Sequence, residues 1–347
     1  MDAFSKLPQD SLLTRRKFLT ATASALALAS IPLSARIARA SASPTSKLKF
    51  GGPTTNSKFY VTSYASTPTV DVNSWNFSVT GKVENPLRFS YADIRKLPSI
   101  DQMLTLECIS NPPDGTAISN AVWTGVKLRP ILERAKVKRE AKFVAMRAAD
   151  GYHTVLPLDE LMREENFLPY LMNGDPLPPE HGYPLRIFIP GKYGMKQPKW
   201  ITELEFADHE IPGYWETRGW SHSAWRKVNS GFFSPRVEGG LLSLFDKTAQ
   251  ATAPVDIYGW ALAGPSGIRR VEVSSDDGVT WRNAELIANS SPYVWTVWKY
   301  RFAPKSPGTY MIRVRATDGS GVAQPPADPQ TGSGMSGQAR LALAVTV

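Results

Sequence analysis

Apolar positions along this chain follow two different spacings, and the place where one gives way to the other divides it. Asn76-Phe77-Ser78-Val79-Thr80-Gly81-Lys82-Val83 alternates at period two and predicts a strand. Pro86 to Pro98 reads as a strand, a Ser90 cap and a short helix. Met103, Leu104 and Leu106 form a mixed apolar run that breaks at Asn111-Pro112-Pro113-Asp114-Gly115, so Cys108 falls at the mouth of a strand. Leu128 to Ala135 has the spacing of a short amphipathic helix, and Leu158 to Glu165 is predicted helical too. Between them Phe143 to Tyr152 is a strand running into an Asp-Gly turn, with Thr154 to Leu158 pairing back. From Val255 onward the pattern is period two throughout: Val255 and Ile257, Val271 and Val273, Thr296 to Phe302, Tyr310 to Val314, and Leu341 to Val347. Asp276-Asp277-Gly278 and Pro307-Gly308 supply turns. The chain therefore reads as an α+β domain, residues 58–220, an irregular linker, 221–234, and an all-β sandwich, 235–347.

The first 40 residues stand apart. Thr14-Arg15-Arg16-Lys17-Phe18-Leu19 precedes an apolar run from Thr20 to Ser34 and then Ala38-Arg39-Ala40. That is the pattern of a twin-arginine signal peptide cut after Ala40, and the run is shorter than the roughly 20 residues a membrane span needs. Such export carries folded, often cofactor-loaded proteins, so the expectation is a periplasmic protein. Residues 41–57 are polar and rich in Ser, Thr, Pro and Gly, a flexible lead-in. Of the formal net charge of +9, the leader supplies four, leaving a modest basic excess. With no dense Lys/Arg run and no nucleic-acid motif, DNA and RNA are not expected partners.

One cysteine in 347 residues cannot close an intramolecular disulfide, even in a compartment that permits them. Cys108 is then either a small buried hydrophobe or a protected, reactive ligand. The segments Tyr170 to Arg186 and Pro190-Gly191-Lys192-Tyr193-Gly194-Met195-Lys196-Gln197-Pro198-Lys199-Trp200 separate the readings. Taken with Cys108, they resemble the molybdopterin-binding domain of the sulfite oxidase family, from about Phe59 to Trp220. The sequences around Val273 to Trp281 and Trp295 to Tyr300 resemble the immunoglobulin-like dimerisation domain that follows it.

The resemblance implies a Mo-molybdopterin cofactor with Cys108 as the protein's one metal ligand and Tyr170 as the active-site tyrosine. Tyr60, Val61, Thr62, Ser63, Tyr64, Asp150, His181, Arg186, Gln197, Pro198 and Lys199 are implied to contact the cofactor. From the residues alone, Asp150 serves equally as a turn former, Tyr170 as a half-buried phenol and His181 as a loop histidine. Gly191 and Gly194 are expected to let backbone approach a phosphate, and Lys192, Lys196 and Lys199 to neutralise it. Two departures bear on the substrate. Thr62, Ser63 and Tyr64 stand where sulfite oxidases have Arg, Asn and His, and Pro112-Pro113 follows Asn111 where they have Arg-Arg. A hydroxyl cannot replace a guanidinium's charged, bidentate grip on an anion.

The expected function is oxygen-atom transfer on a small-molecule substrate, with electrons exchanged with a separate, cytochrome-like protein. No Cys-x-x-Cys-His or iron–sulfur cysteine set occurs in this sequence. An S-oxide or N-oxide reductase of the same family is the alternative to a sulfite oxidase. From other classes come a cofactor-free envelope binding protein and a hydrolase with a Cys108 nucleophile. The C-terminal domain implies a homodimer.

Overall fold

The computed structural model describes residues 50–235, 249–287 and 291–346; the leader, most of the lead-in and Val347 lie outside them. The described residues belong to one compact unit. Its first sheet runs Leu87–Ser90, Asn76–Gly81, Ile201–Ala207, Phe143–Ala148, His153–Pro157. Asn76–Gly81 pairs in parallel with Ile201–Ala207, and the other neighbours are antiparallel. Alternation along Asn76–Gly81 buries Phe77 and Val79 against Ile94, Leu132, Val144, Leu204 and Phe206. The helix Tyr91–Lys96 starts where expected: Ser90 accepts from the Asp93 N–H, and Asp93 accepts from the Ser90 N–H in return.

The second sheet carries the site. Ser99–Glu107, Ile118–Lys127, Phe167–Met172 and Asp175–Pro176 lie antiparallel in that order. Two further sheets enclose a shared core of Phe232, Ile257, Val271, Val273, Trp298, Ile312, Val314 and Leu343. They make the sandwich that the period-two runs predict.

Three expectations need correction. The α+β label overstates the helices: among the described residues the α-helices are Tyr91–Lys96, Arg129–Ala135 and Leu158–Leu161, and the rest is mostly strand. The helix predicted to Glu165 stops at Leu161 because the Asn166 side chain donates to the carbonyls of Glu160 and Leu161, which a continuing helix would have used. The linker 221–234 is not irregular throughout, since Asn229–Ser234 is the edge strand of the third sheet.

That linker also passes behind the cysteine. Glu107, fully buried at the end of Ser99–Glu107, accepts from the Asn111 amide at 3.1 Å and the Asn229 amide at 2.7 Å. Its other oxygen faces the buried Arg226 guanidinium at 3.5 Å, and Arg226 donates to the Thr105 carbonyl at 3.0 Å. The strand's free edge is covered by the sandwich, with the Thr105 N–H donating to the Tyr293 carbonyl and the Trp295 N–H to Thr105 Oγ1, both at 3.0 Å.

Arg226→Leu is expected to cost about 3–5 kcal/mol, because it strands the Glu107 charge away from water. Burial already holds the Glu107 carboxyl above the usual carboxylate range, and losing Arg226 raises it further. The deficit is then largest above that pKa, where the carboxyl must be ionised, and shrinks on acidification as it takes up a proton. Denaturant unfolding of both proteins at pH 8 and pH 5 checks this; an equal deficit at both, or one under about 1 kcal/mol, contradicts it.

Candidate active site

Cys108 follows the strand Ser99–Glu107 and stays tied to the residue that leads into the neighbouring strand Ile118–Lys127. Its N–H donates to the Ala117 carbonyl at 2.9 Å, and its carbonyl accepts from the Asn111 N–H at 3.0 Å. Asn111 closes the loop, its side-chain Oδ1 accepting from the Ala117 N–H at 2.9 Å. The thiol is half-buried, 3.1 Å from Ser110 Oγ, on the wall of a cavity of about 320 Å³. A cavity of that size accepts a small cofactor or ligand, and the reading of Cys108 as core filler does not describe this position.

The same cavity gathers Tyr60, Val61, Thr62, Ser63, Tyr64, Asp150, His181, Arg186, Gln197, Pro198 and Lys199. Tyr170 is not among its walls. It sits on Phe167–Met172 in the first domain's core, 4% exposed, with the Arg95 guanidinium 4.6 Å from its ring centre. Its side chain emerges on the face of the strand away from Cys108's cavity, so the tyrosine role implied for it does not fit its place.

Two of the three lysines are also elsewhere. Lys192 is buried against Glu160 at 2.6 Å and over the Trp225 ring at 4.0 Å, and Lys196 is buried against Glu216. Both are consumed by carboxylates. Gly191 meets Trp225 and Pro265, whereas Gly194 lines the cavity. Lys199 alone of the three faces it, donating to Ser63 Oγ at 2.8 Å and to the Glu180 carbonyl at 2.9 Å. Trp200 follows in the left-handed region at φ 52°, fixed by its indole N–H on the Pro179 carbonyl at 2.7 Å.

Arg186 and Lys199 approach closely because Gly182 lies between them; a Cβ there would fall 3.2 Å from Arg186 Cβ and 3.1 Å from Lys199 Cβ. The Arg186 guanidinium donates to the His181 carbonyl at 3.0 Å and lies over the Trp123 and Phe188 rings. Burial lowers it to about 10, so it stays charged at neutral pH. Burial and the neighbouring Arg186 charge lower His181, leaving it neutral, with Nε2 3.2 Å from the Asn56 carbonyl. Burial brings Lys199 down to about 8 and raises Asp150 above an ordinary carboxyl. Tyr152, Met195, Trp215 and Trp220 also line the cavity and escaped the sequence reading, as did Phe59, Leu106, Ile109, Ser110, Glu180 and Trp200 as wall residues. The signal available for the tryptophans was the aromatic density of Tyr214 to Trp220.

Residues 64–215 match the model of the oxidoreductase molybdopterin binding domain, and 241–337 that of the Mo-co oxidoreductase dimerisation domain. The chain is 37% identical over 150 residues to the uncharacterized oxidoreductase YuiH of Bacillus subtilis, covering 43% of this chain and 74% of that protein. It is 28% identical over 267 residues to the sulfite oxidase of Arabidopsis thaliana, covering 65% and 68%. The chain belongs to the sulfite oxidase family of molybdopterin oxidoreductases. Its fold is also that of the sulfane dehydrogenase SoxCD from Paracoccus pantotrophus, with a TM-score of 0.71 at 22% identity over 88% of this chain and 86% of that one.

Membership of the sulfite oxidase family makes Mo-molybdopterin the cofactor, and the cavity's donors fit it. Two buried wall atoms, Arg186 Nε and Gln197 Oε1, have no hydrogen-bond partner among the described residues. Leaving such atoms unpaired is costly, and a pterin's polar edge supplies the complement. Among the described residues no group of three His, Cys, Asp or Glu could hold an ion, so a metal here brings most of its ligands with it.

Arg186→Ala is expected to lower cofactor content after purification at least threefold; equal content would remove Arg186 from the binding set. Uptake of the anionic cofactor by apoprotein should weaken as pH rises through about 8, where Lys199 loses its proton, and Lys199→Met should flatten that dependence. Cofactor fluorescence after reconstitution at pH 7 and pH 9 reads both.

Proposed function

We propose that this member of the sulfite oxidase family transfers oxygen from a neutral organic S- or N-oxide rather than acting on sulfite. One observation carries the reading: among the described residues, Arg186 and Lys199 are the cavity's arginine and lysine, and both lie beside the Gln197 and Glu180 end where the cofactor's anionic and polar parts would be held. The exposed rim at Thr62, Ser63 and Tyr64 offers hydroxyls. The cation that reaches this rim is Lys199, 2.8 Å from Ser63 Oγ and shared with the Glu180 carbonyl; with no guanidinium among the described residues of the rim, a sulfite-like dianion loses the bidentate charged hydrogen bonds that would offset its desolvation.

Bound molybdopterin supplies two-electron oxygen-atom transfer coupled to one-electron exchange. The chain's own part is narrower. Cys108 offers the soft thiolate suited to molybdenum, while Arg186, Gln197, His181 and Lys199 orient the pterin. Asp150, whose carboxyl holds its proton to higher pH than usual, is placed to exchange protons at the cavity wall.

The sequence's single cysteine supports electron delivery by a separate, cytochrome-like protein. The match of 241–337 to a dimerisation domain supports a homodimer. The Arg15-Arg16 leader supports export to the periplasm in the folded state.

Purified enzyme should reduce sulfoxides and N-oxides with reduced viologen at a kcat/KM at least 100-fold above that for sulfite with ferricyanide. Efficient sulfite oxidation would overturn the proposal.

A further inference from the structure

The cavity has a second wall, built apart from the groups that fit the cofactor. Tyr214, Trp215 and Trp220 come from one short loop, turned by the 3-10 segment Glu216–Arg218 and by Gly219 at φ 83°. Trp215 and Trp220 are half-buried, their ring centres 5.8 Å apart, and they pack with Ile109 and Met195 beside Cys108. The Tyr214 ring continues the surface, 4.9 Å from Trp215 and 4.4 Å from Tyr64, which in turn lies 5.8 Å from Tyr152.

The loop is pinned from behind. Glu216 is 4% exposed and accepts from Lys196 Nζ and Thr154 Oγ1, while Lys196 also donates to the Val155 carbonyl at 2.7 Å. At its start Gly213 has no room for a side chain: a Cβ would lie 2.4 Å from the His153 carbonyl oxygen and 2.6 Å from Glu216 Oε2. At its end the Ser221 N–H donates to the Gly332 carbonyl at 2.8 Å. A surface of large aromatic rings held this firmly is preformed, and it adjoins the thiol rather than the Arg186 end.

We propose that the Trp215–Trp220 wall selects substrates whose oxidised sulfur or nitrogen carries a flat apolar ring, which packs offset or edge-on against the indoles. This rests on the neutral-oxide reading. For an aryl alkyl sulfoxide the net step breaks the S–O bond: the sulfoxide takes two electrons and two protons to give the sulfide and water. A one-electron donor protein supplies the electrons, and reduced viologen supplies them in vitro.

The test uses holoenzyme with methyl phenyl sulfoxide and dimethyl sulfoxide. The wild type is expected to favour the aryl compound at least 10-fold in kcat/KM, through KM. Trp220→Leu and Trp215→Leu should each cut that preference below 3-fold, and Trp220→Phe should restore most of it. Calorimetric binding of the product methyl phenyl sulfide should weaken at least 5-fold in Trp220→Leu, a readout independent of turnover. Equal kcat/KM for both sulfoxides with sulfide binding unchanged in Trp220→Leu overturns the wall's role and leaves the neutral-oxide reading standing. Reduction of neither sulfoxide nor any N-oxide overturns both.

Discussion

A carboxylate that water does not reach stands directly before the cysteine. Glu107 ends its strand inside the protein, and its two oxygens are met by Arg226, Asn111 and Asn229. Asn111 belongs to the loop that carries Cys108, Asn229 to the first strand of the sandwich, and Arg226 to the segment joining the two. The thiol's position is thus set by a charge that both domains share. Such a pair adds little net stability against apolar replacements, but half of it is costly alone, which favours one geometry over its neighbours.

The same economy of charge shapes the rest of the site. Three basic residues near the cavity, Lys192, Lys196 and Arg226, are consumed by Glu160, Glu216 and Glu107, the last two pairs fully buried and the first with Glu160 partly exposed. They hold the Gly191 to Gln197 loop, the tryptophan loop and the cysteine loop in register. Arg186 and Lys199 are left facing the cavity, and burial lowers both from their ordinary values. Exposed pairs such as Lys82 with Asp208 are screened by water and decide nothing here. Function and fold draw on different cations, although all lie between residues 186 and 226.

Much of this was legible from residue order. Period two placed the strands, Pro112-Pro113-Asp114-Gly115 placed Cys108 at a strand's mouth, and resemblance named about half of the residues that line the cavity. What escaped has physical reasons. A strand's pattern does not say which neighbour each face meets, so Tyr170 could be named by its motif yet point into the core under Arg95. Lysines in a glycine-rich loop look alike until their carboxylates, Glu160 and Glu216, arrive from elsewhere in the chain. The side chain of Asn166 ends a helix from beyond its predicted end. Trp215 and Trp220 lay unassigned at the end of the predicted first domain, because a loop's aromatic residues acquire a direction only once Glu216 anchors them.

The proposed chemistry depends on the Cys108 sulfur binding molybdenum. X-ray absorption at the molybdenum edge counts the sulfur atoms around the metal. Wild-type protein should show one more sulfur than Cys108→Ser protein loaded with the same cofactor; equal counts in the two would contradict the claim.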